Sequence, residues 1–590
     1  MGLIKKARAV YRRLTGAVHR HGLIHVVTVV GLTMTRQGVF NAFRMAGSGR
    51  PFPQKPSKRL LRMQAPPPPE PPDLDGAYTL SAADWRAWSP ILASAPASTD
   101  PQDDRLAPAE VEVVILDQAG AASEALAATR AAVAAMGPTV LLWSSGIPAT
   151  NRFVLFLKPG DVPSPELPRA LARAARGGVA EAVTFDLARQ VAERVQPVLL
   201  PGANPTLLLS ADYMFSRVAL RGAALGPAED LQQADPRALM LAWLQAQPPL
   251  QARGRWRHVS RPLVVAGISE ADIEAERAAA LGRARQPVRR PSSEGATVVI
   301  CTKDKGHLTR QLTRQLLAKD RSAVEEVVIV SNNTANPYAL QTLRDLAAEA
   351  RVRVVKRDEA FNFSRLCNAG VRAGEGRGPI LLLNDDIAPV SEDWIERLLA
   401  RLDDPVVGAA GPLLLYPDER VQHAGMYLGY NGIAGHVLRR ARLPEDDYLL
   451  TGCAAREVSA LTGAVLMTPR QAFEALNGLD EQLATYLQDV DYCLRLRGAG
   501  LVCVFDPASV LIHMESATIR SLQGDIFHHR RYAERLRFVE RWGDLLQNDP
   551  LHPRGFDVMD ESLRRLTGPQ GQRPATTPQG SGGRQITASR

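Results

Sequence analysis

The second half of the chain alternates short apolar runs with amphipathic segments. TVVICT, EEVVIV, RVRVV and PILLLN are apolar runs of strand length, and helical spacing separates them in HLTRQLTRQLLAK, NPYALQTLRDLAAEA and FSRLCNAGVRAG. Strands that alternate with helices predict a parallel α/β sheet with helices on both faces. Ligands of such sheets bind beyond the carboxyl ends of the strands. The residues that follow PILLLN are therefore the first place to look for a functional site.

Two adjacent carboxylates end the fourth strand-like run, in LLLNDDIAPV. Asp385 and Asp386 each raise the free energy of ionising the other. One interpretation is a polar turn in which an aspartate caps the next helix. The other is a cation site, since Mg²⁺ and Mn²⁺ prefer oxygen ligands and often bridge carboxylates to phosphates. The pair alone does not separate these two interpretations.

Proline-rich and low-complexity breaks divide the chain, whose 590 residues are too many for one core. QAPPPPEPPD and RARQPVRRPSSEG predict linkers, and the polar tail from residue 568 predicts disorder. The five cysteines form no CxxC pair, which favours reduced thiols over a disulfide framework or a zinc site. The predicted organisation is a basic arm with its linker at 1–75, a domain at 76–282, a linker at 283–295, a second domain at 296–567 and a tail at 568–590.

The net charge of +9 belongs to the N-terminal arm. Thirteen Lys and Arg residues lie between Lys5 and Arg62, so 9 − 13 leaves −4 for the rest, which argues against nucleic-acid binding. The longest charge-free run of the arm, residues 21–35, is shorter than the roughly 20 residues of a membrane span, and no signal-peptide cleavage site follows. The arm is either an amphipathic segment on an anionic membrane surface or a basic helix packed on protein, and both alternatives stay open.

Nine motifs from about Ala296 to Asp557 carry a family resemblance. In order they are CTKD, FNFSRLCNAG, LLLNDD, LLLYPDERVQHAG, AGHVLRR, LTGAVLMTPRQAFEALNGLDE, YLQDVDYCLRLRGAG, VLIHMES and FVERWGDLLQNDP. Together they resemble the family 2 glycosyltransferases of GT-A fold, in the bacterial branch that builds O-antigen and rhamnose-rich polysaccharides. The resemblance implies a Rossmann-like nucleotide-sugar-binding α/β sandwich.

The resemblance also implies a divalent cation, Mn²⁺ or Mg²⁺, at the acidic pair. Asp386 matches the metal ligand of the family, and Asp385 matches the contact to the donor ribose or sugar. His513 in VLIHMES matches a histidine that completes the metal shell in some relatives, although a lone histidine on an apolar run is often a core residue. Imidazole suits Mn²⁺ better than Mg²⁺.

The second acidic motif, YLQDVDYCLRLRGAG, implies the base of an inverting transfer, which takes the proton of the acceptor hydroxyl. Asp489 matches the base position, although it could also be a helix cap. Gln488 stands where relatives carry another acid, so one supporting charge is missing. If this segment continues as a helix, Asp491 points elsewhere and is expected to pair with Arg495 or to cap the helix.

The remaining site residues follow from the resemblance alone. Those that match the family's nucleotide pocket or the segment facing the sugars are Thr302, Asp304, Arg365, Asn368, Thr462 and Gly463. Ser331 stands where relatives often carry an aspartate that contacts the base, so the base is not identified. His423 and His436 bracket a glycine-rich stretch, GMYLGYNGIAGH, which is predicted to be a flexible active-site loop with glycines at positive φ.

The region at 76–282 resembles a second copy of the same fold. FVLFLKPGDVPSPELPRALARAA has the layout of PILLLNDDIAPVSEDWIERLLARL. Lys158 to Asp161 stand where the acidic pair should be, and a lysine there would repel a metal ion. The pair near a base is reduced to Glu229 and Asp230. The copy is interpreted as a degenerate, non-catalytic partner, and a metal-free second transferase is the alternative.

The resemblance implies an inverting, metal-dependent glycosyltransferase that extends a surface polysaccharide. The donor would be a dTDP-, UDP- or GDP-linked sugar, with dTDP-rhamnose as the family's suggestion. The acceptor would be a lipid-linked glycan, and the protein would be cytoplasmic, with a possible peripheral contact of the arm at the inner face of the plasma membrane. Two rival functions are a glycan-binding scaffold that lost turnover and a sugar-phosphate nucleotidyltransferase.

Overall fold

A computed structural model describes the part of the chain that holds the motifs. It covers residues 80–81, 107–116, 123–143, 148, 151–191, 194–225, 231–286, 294–514, 525–564 and 566. All of these belong to one compact unit. The predicted arm and linker at 1–75, residues 287–293 of the predicted linker and the tail at 568–590 lie outside the described residues.

The N-terminal lobe is a nine-stranded sheet in the order β1-β7-β6-β8-β4-β2-β3, with β9 beside β6 and β5 beside β9. Its strands are β1 (Leu80–Ser81), β2 (Val111–Ile115), β3 (Val140–Leu142), β4 (Phe153–Leu157), β5 (Val162–Pro163), β6 (Ala182–Val191), β7 (Arg194–Val198), β8 (Ala219–Arg221) and β9 (Trp256–Ala266). Its helices are α1 (Ser123–Ala134), α2 (Leu167–Ala174), α3 (Pro205–Ser210), α4 (Pro236–Gln245), α5 (Pro249–Arg255) and α6 (Glu270–Ala284).

The C-terminal lobe is a ten-stranded sheet in the order β12-β11-β10-β13-β20-β15-β21-β14, with β16 beside β15 and β19 beside β21. Its strands, with those of the separate β17–β18 hairpin, are β10 (Ala296–Thr302), β11 (Val324–Asn332), β12 (Val352–Arg357), β13 (Ile380–Asn384), β14 (Ile387–Pro389), β15 (Val407–Leu415), β16 (Val421–His423), β17 (Met426–Leu428), β18 (Ala434–His436), β19 (Arg456–Val458), β20 (Val465–Thr468) and β21 (Val502–His513). Its helices are α7 (Gly306–Leu317), α8 (Pro337–Ala347), α9 (Phe363–Ala373), α10 (Trp394–Arg401), α11 (Arg470–Ala475), α12 (Gln488–Gly498) and α13 (Asp525–Leu546).

The predicted alternation of strands and helices after residue 295 is confirmed. The strands β10, β11, β12 and β13 pair in parallel, and helices α7, α8 and α9 connect them. The strand interiors are apolar and buried, as the continuous hydrophobic runs require for a sheet covered on both faces. The acidic pair follows β13 directly and therefore lies at the carboxyl end of the parallel strands.

The two sheets share one pairing pattern. The parallel trio β3-β2-β4 corresponds to β11-β10-β13, and each trio continues through an antiparallel strand, β8 or β20. Beyond it, β6 pairs in parallel with β9 as β15 does with β21, and the short strands β5 and β14 close each sheet antiparallel. This shared topology supports the predicted second copy, although the predicted domain boundaries stay a prediction.

An asparagine joins the two lobes at β19. The Asn204 side chain accepts a hydrogen bond from the backbone N–H of Glu457 at 3.0 Å and donates to the carbonyl of the same residue at 3.0 Å. Both bonds are buried, and the Glu457 carboxylate also forms an ion pair with Arg253 at 2.6 Å. Asn204 additionally caps α3, since it accepts from Leu207 N. The amide therefore pairs with β19 as a further strand residue would.

Two other expectations concern the whole chain. All five cysteines are free thiols, as their spacing predicts. Among the described residues no helix combines the length and the apolar character that crossing a bilayer requires.

We expect replacement of Asn204 by alanine to destabilise the protein by about 2–4 kcal/mol, because two buried backbone groups of Glu457 lose their partner along with the helix cap. Chemical denaturation measures this loss. The matched control is Asn336→Ala, because Asn336 caps α8 in the same way and should cost only about 1 kcal/mol. Equal losses in the two variants would contradict a joining role for Asn204.

Candidate active site

The acidic pair is buried at the carboxyl end of β13 and is surrounded by cationic and polar groups. Asp385 accepts a hydrogen bond from the Thr302 hydroxyl at 2.8 Å and from the Lys305 ammonium at 2.9 Å. The same ammonium is 3.7 Å from Asp386. Burial raises the pKa of Asp385, and the positive charge of Lys305 opposes that rise. The pair is therefore not a solvated turn.

His513 lies on the other side of the pair. β14 and β21 place Ile387 opposite His513, and the His513 Nε2 atom is 3.2 Å from the Asp386 carboxylate. An imidazole nitrogen beside a carboxylate is a donor set that a divalent cation of Mn²⁺ type accepts. Across the described ranges, no cluster of three or more His, Cys, Asp or Glu side chains could hold a metal. Asp386 and His513 could supply two ligands to a divalent cation, and such ions usually complete their shell with substrate phosphates and water.

Asp489 lies in the first turn of α12 and contacts the turn that precedes β20. Its carboxylate accepts from the backbone N–H of Gly463 at 2.8 Å and from that of Val490 at 2.9 Å. Burial raises the pKa of Asp489, and these hydrogen bonds oppose the rise. In the same turn the carbonyl of Ala464 accepts from Asn384 N at 2.9 Å. The Thr462–Ala464 turn therefore connects Asp489 to the strand that carries the acidic pair.

The other two residues of the second acidic motif are placed differently. Asp491 is buried and forms the predicted ion pair with Arg495, at 2.8 Å. It also accepts from Arg541 at 2.7 Å and from the Trp542 indole at 3.0 Å, so it holds α13 against α12. Gln488 begins α12, and its side-chain oxygen is buried without a hydrogen-bond partner among the described residues. Asp491 is therefore structural, and Gln488 brings no charge to the base.

A small cleft of ≈ 140 Å³ opens beside the acidic pair, with Thr302, Asp304, Lys305 and Thr334 among its lining residues. Asp304 is in the left-handed region, at φ 57. Its carboxylate accepts from the backbone N–H groups of Ala335 and Asn336, both at 2.7 Å. Asp304 thus fixes the loop after β11 that forms one wall of the cleft.

Asn368, expected from the resemblance to line the nucleotide pocket, is engaged within the protein, and its role as a donor contact stays a prediction. Its amide donates to the carbonyl of Leu479 at 2.8 Å and accepts from Leu479 N at 2.9 Å, and the residue is buried. It fixes the loop after α11. Arg365 is half-exposed and pairs with Glu359 at 3.3 Å and Glu481 at 3.1 Å. These two ion pairs join the loop before α9 to the loop after α11, so Arg365 is also engaged within the protein.

The glycine-rich stretch is an ordered hairpin, which corrects the prediction of a flexible loop. β17 and β18 pair antiparallel around a 3₁₀ turn, and β17 is fully buried. The predicted positive φ occurs at Gly425, Gly429 and Gly432. His423 and His436 contact each other, with 2.9 Å between their Nδ1 atoms. Burial lowers the pKa of His436 to about 4 and that of His423 well below its usual range. Both rings are therefore neutral near pH 7.

In the N-terminal lobe a salt bridge occupies the position that corresponds to the acidic pair of the C-terminal lobe. Asp161 precedes β5 as Asp386 precedes β14, and the Arg217 guanidinium binds its two carboxylate oxygens at 2.9 and 2.7 Å. Both side chains are buried, with 2% and 0% exposure. Burial lowers the pKa of the nearby Lys158. The sequence predicts Lys158 as the cation at this position, but the cation that binds the Asp161 carboxylate is Arg217. Residues 226–230, with the other predicted acidic pair, lie outside the described residues.

Two residues of this site escaped the sequence analysis. Lys305 contacts both carboxylates, yet CTKDKGHL contains two lysines and no spacing rule distinguishes the one that folds back. Gln422 contacts His513 with 2.7 Å between Oε1 and Nδ1. Its position next to His423 is the one feature of the sequence that could have suggested a role at the site. A glutamine alone does not indicate such a role, because neutral amides are common on protein surfaces.

Residues 297–461 match the family model described as Glycosyl transferase family 2. This segment of the chain is therefore similar to the family 2 glycosyltransferases. Its ten-stranded mixed sheet, with the acidic pair at the end of β13, is the α/β sheet of the GT-A fold. The resemblance to family 2 is thereby confirmed.

Three relatives share sequence with the chain. The protein y4gI of Sinorhizobium fredii, described as uncharacterized, is 33% identical over 225 residues, which are 38% of this chain and 24% of that protein. The O-antigen biosynthesis protein RfbC of Myxococcus xanthus is 31% identical over 360 residues, 56% of this chain and 28% of that protein. The N-acetylglucosaminyl-diphospho-decaprenol L-rhamnosyltransferase of Mycobacterium tuberculosis is 28% identical over 189 residues, 28% of this chain and 58% of that protein. The chain thus spans less than two thirds of each relative.

We expect the stability of the protein to fall as the pH falls from about 6.5 towards about 4, in part through His436. Its folded pKa is depressed, so the unfolded chain binds the proton first. The contribution of the neutral His436 ring to the free energy of unfolding is fully present above the unfolded pKa. It is lost as the pH falls from the unfolded pKa towards the folded pKa of about 4. Replacement of His436 by asparagine should reduce the slope of unfolding free energy against pH by up to about 1.4 kcal/mol per unit. The exposed His307 provides the control His307→Asn, and an equal change of slope there would refute the assignment.

Proposed function

We propose that residues 296–567 catalyse an inverting, metal-dependent transfer of a sugar from a nucleotide-sugar donor to a glycan acceptor. The observation that carries this proposal is the link between the two acidic motifs. The Thr462–Ala464 turn hydrogen-bonds Asp489 on one side and Asn384, next to the acidic pair, on the other. In this arrangement a cation held by Asp386 would serve the diphosphate leaving group, and Asp489 would serve the acceptor hydroxyl that attacks the same anomeric carbon.

The donor diphosphate would bind beside Lys305 at the carboxyl end of β13. A bound Mn²⁺ or Mg²⁺ supplies positive charge for the diphosphate leaving group, and Asp386 and His513 are the residues that would hold it. The Lys305 ammonium is a further positive charge at the same place. Asp385, with its hydrogen bond to Thr302, would face the ribose or the sugar.

Asp489 would take the proton of the acceptor hydroxyl as its oxygen attacks the anomeric carbon. The hydrogen bonds from Gly463 and Val490 fix the direction of the carboxylate. Burial raises the pKa of Asp489, which makes it a stronger base than an exposed aspartate. A single displacement at the anomeric carbon inverts its configuration.

The substrate class rests on what the relatives are named for. One is an O-antigen biosynthesis protein and another is a rhamnosyltransferase with a diphospho-decaprenol acceptor. We therefore propose a surface polysaccharide on a lipid carrier as the acceptor, and dTDP-rhamnose before UDP- and GDP-sugars as the donor. Contact of the N-terminal arm with the inner face of the membrane belongs to the same proposal.

The N-terminal lobe would be a non-catalytic partner. Arg217 neutralises Asp161 from within the fold, so a metal ion there would have to displace a buried, bidentate guanidinium. We therefore propose turnover in the C-terminal lobe alone, with the N-terminal lobe supporting its sheet through the contact of Asn204 with β19.

We expect Asp489→Asn to reduce kcat by about 10²–10⁴, because general-base catalysis contributes that much, with donor binding retained. Measurement of nucleoside diphosphate release during transfer gives the rate, and titration calorimetry gives the binding. Asp491→Asn, two residues further along α12, is the control and should lower stability more than kcat. Undiminished transfer by Asp489→Asn would refute the role, and pyrophosphate as the product would favour a nucleotidyltransferase.

We expect the full chain to bind one Mn²⁺, although it contains two related sheets. Electron paramagnetic resonance of free Mn²⁺ measures the stoichiometry, and a thermal-shift series with UDP-, GDP- and dTDP-sugars identifies the base, because a ligand of the folded state raises its stability. Asp386→Ala should abolish the Mn²⁺-dependent part of the shift. Two equivalents, or Mn²⁺ binding that survives Asp386→Ala, would contradict the assignment.

A further inference from the structure

Gln422 occupies a β-bulge between β15 and β16. Leu414 pairs with His423 and Leu415 pairs with Val421, so one step along β15 corresponds to two steps along β16 and Gln422 is the extra residue. Bulges redirect a side chain and are common beside active sites. Here Gln422 is 6% exposed, and its Oε1 lies 2.7 Å from Nδ1 of His513.

This contact defines the tautomer of the His513 ring. An amide oxygen only accepts hydrogen bonds, so with the Gln422 oxygen facing the ring Nδ1 carries a proton, and a neutral ring then has its lone pair on Nε2. Asn384 agrees with this assignment from the other side, since its amide nitrogen is 3.5 Å from Nε2 and can only donate. Two separate amides therefore require the same tautomer.

The lone pair of Nε2 then faces a carboxylate. Nε2 is 3.2 Å from Asp386, and in this tautomer both groups are acceptors. Two acceptors at this distance repel each other unless a cation lies between them. A neutral imidazole that donates from one nitrogen to a fixed partner is the usual form of a metal-bound histidine.

We propose that Gln422 is a positioning residue that holds His513 in the Nδ1–H tautomer and thereby directs Nε2 at the divalent cation. This inference rests on the proposed metal site and adds a residue that acts on the cation only through His513.

The N-terminal lobe provides an internal comparison. In its sheet the first residue of β5 pairs with Val265, as the first residue of β14 pairs with His513. The β6–β7 ladder, which corresponds to β15–β16, is regular and has no bulge. The copy in which Arg217 replaces a metal has thus neither the histidine nor the bulge that carries Gln422.

The test compares Gln422→Met with Gln422→Glu in the full chain. Methionine has a similar size but offers Nδ1–H only the weak acceptor of a thioether sulfur, whereas glutamate keeps a strong acceptor at the same place. Ring ¹⁵N chemical shifts of metal-free, histidine-labelled protein report the tautomer, and His513→Gln identifies the signal. We expect Nδ1–H in the wild type and in Gln422→Glu, and loss of that preference in Gln422→Met.

Titration with Mn²⁺ alone gives the second readout. We expect Gln422→Met to bind Mn²⁺ 10–100-fold more weakly, the usual effect of losing a partner of a metal ligand, and Gln422→Glu to restore the affinity. Gln196→Met, in the corresponding strand β7, is the matched control and should change neither readout. An unchanged ring in Gln422→Met, or equal losses in both Gln422 variants, would overturn the role. If the wild type binds no Mn²⁺, the proposed metal site fails, while the tautomer result still decides the function of Gln422.

Discussion

The electrostatic repulsion between the adjacent carboxylates Asp385 and Asp386, at the end of the buried strand β13, is the constraint that the rest of the C-terminal lobe must compensate. At about 4 Å and an effective dielectric constant near 20, two like charges repel by about 4 kcal/mol. The fold places the Lys305 ammonium 2.9 Å from Asp385 and 3.7 Å from Asp386. Lys305 follows β10 and the two aspartates follow β13, so these two strands must pair before the negative charges are compensated. Stability and function therefore draw on the same set of contacts.

The sequence predicted this sheet well for a physical reason. Continuous apolar runs are sufficient to identify buried parallel strands, and the position of Asp385 and Asp386 after the fourth run follows from chain order alone. The ion pair of Asp491 with Arg495 is also a local, four-residue relation on one helix. Features that depend on spacing within one element were accessible from sequence.

Contacts between distant segments were not accessible in the same way. Asn368 was expected to face a ligand, yet it binds Leu479, more than a hundred residues later in the chain. Gln422 and Lys305 were missed because a bulge and a folded-back side chain have no periodic signature. The glycines of the β17–β18 hairpin predict a flexible active-site loop because residues that adopt positive φ are equally typical of flexible segments and of tight hairpin turns.

The arginine that neutralises Asp161 is part of the polypeptide, and this has a consequence for how the two lobes respond to their surroundings. A tethered cation cannot be removed by a chelator or diluted away, so the N-terminal lobe keeps the same electrostatic balance in every medium. The cation proposed for the C-terminal lobe is exchangeable, and its contribution would grow with the logarithm of the free ion concentration. Metal starvation would therefore loosen one half of the molecule while leaving its scaffold intact.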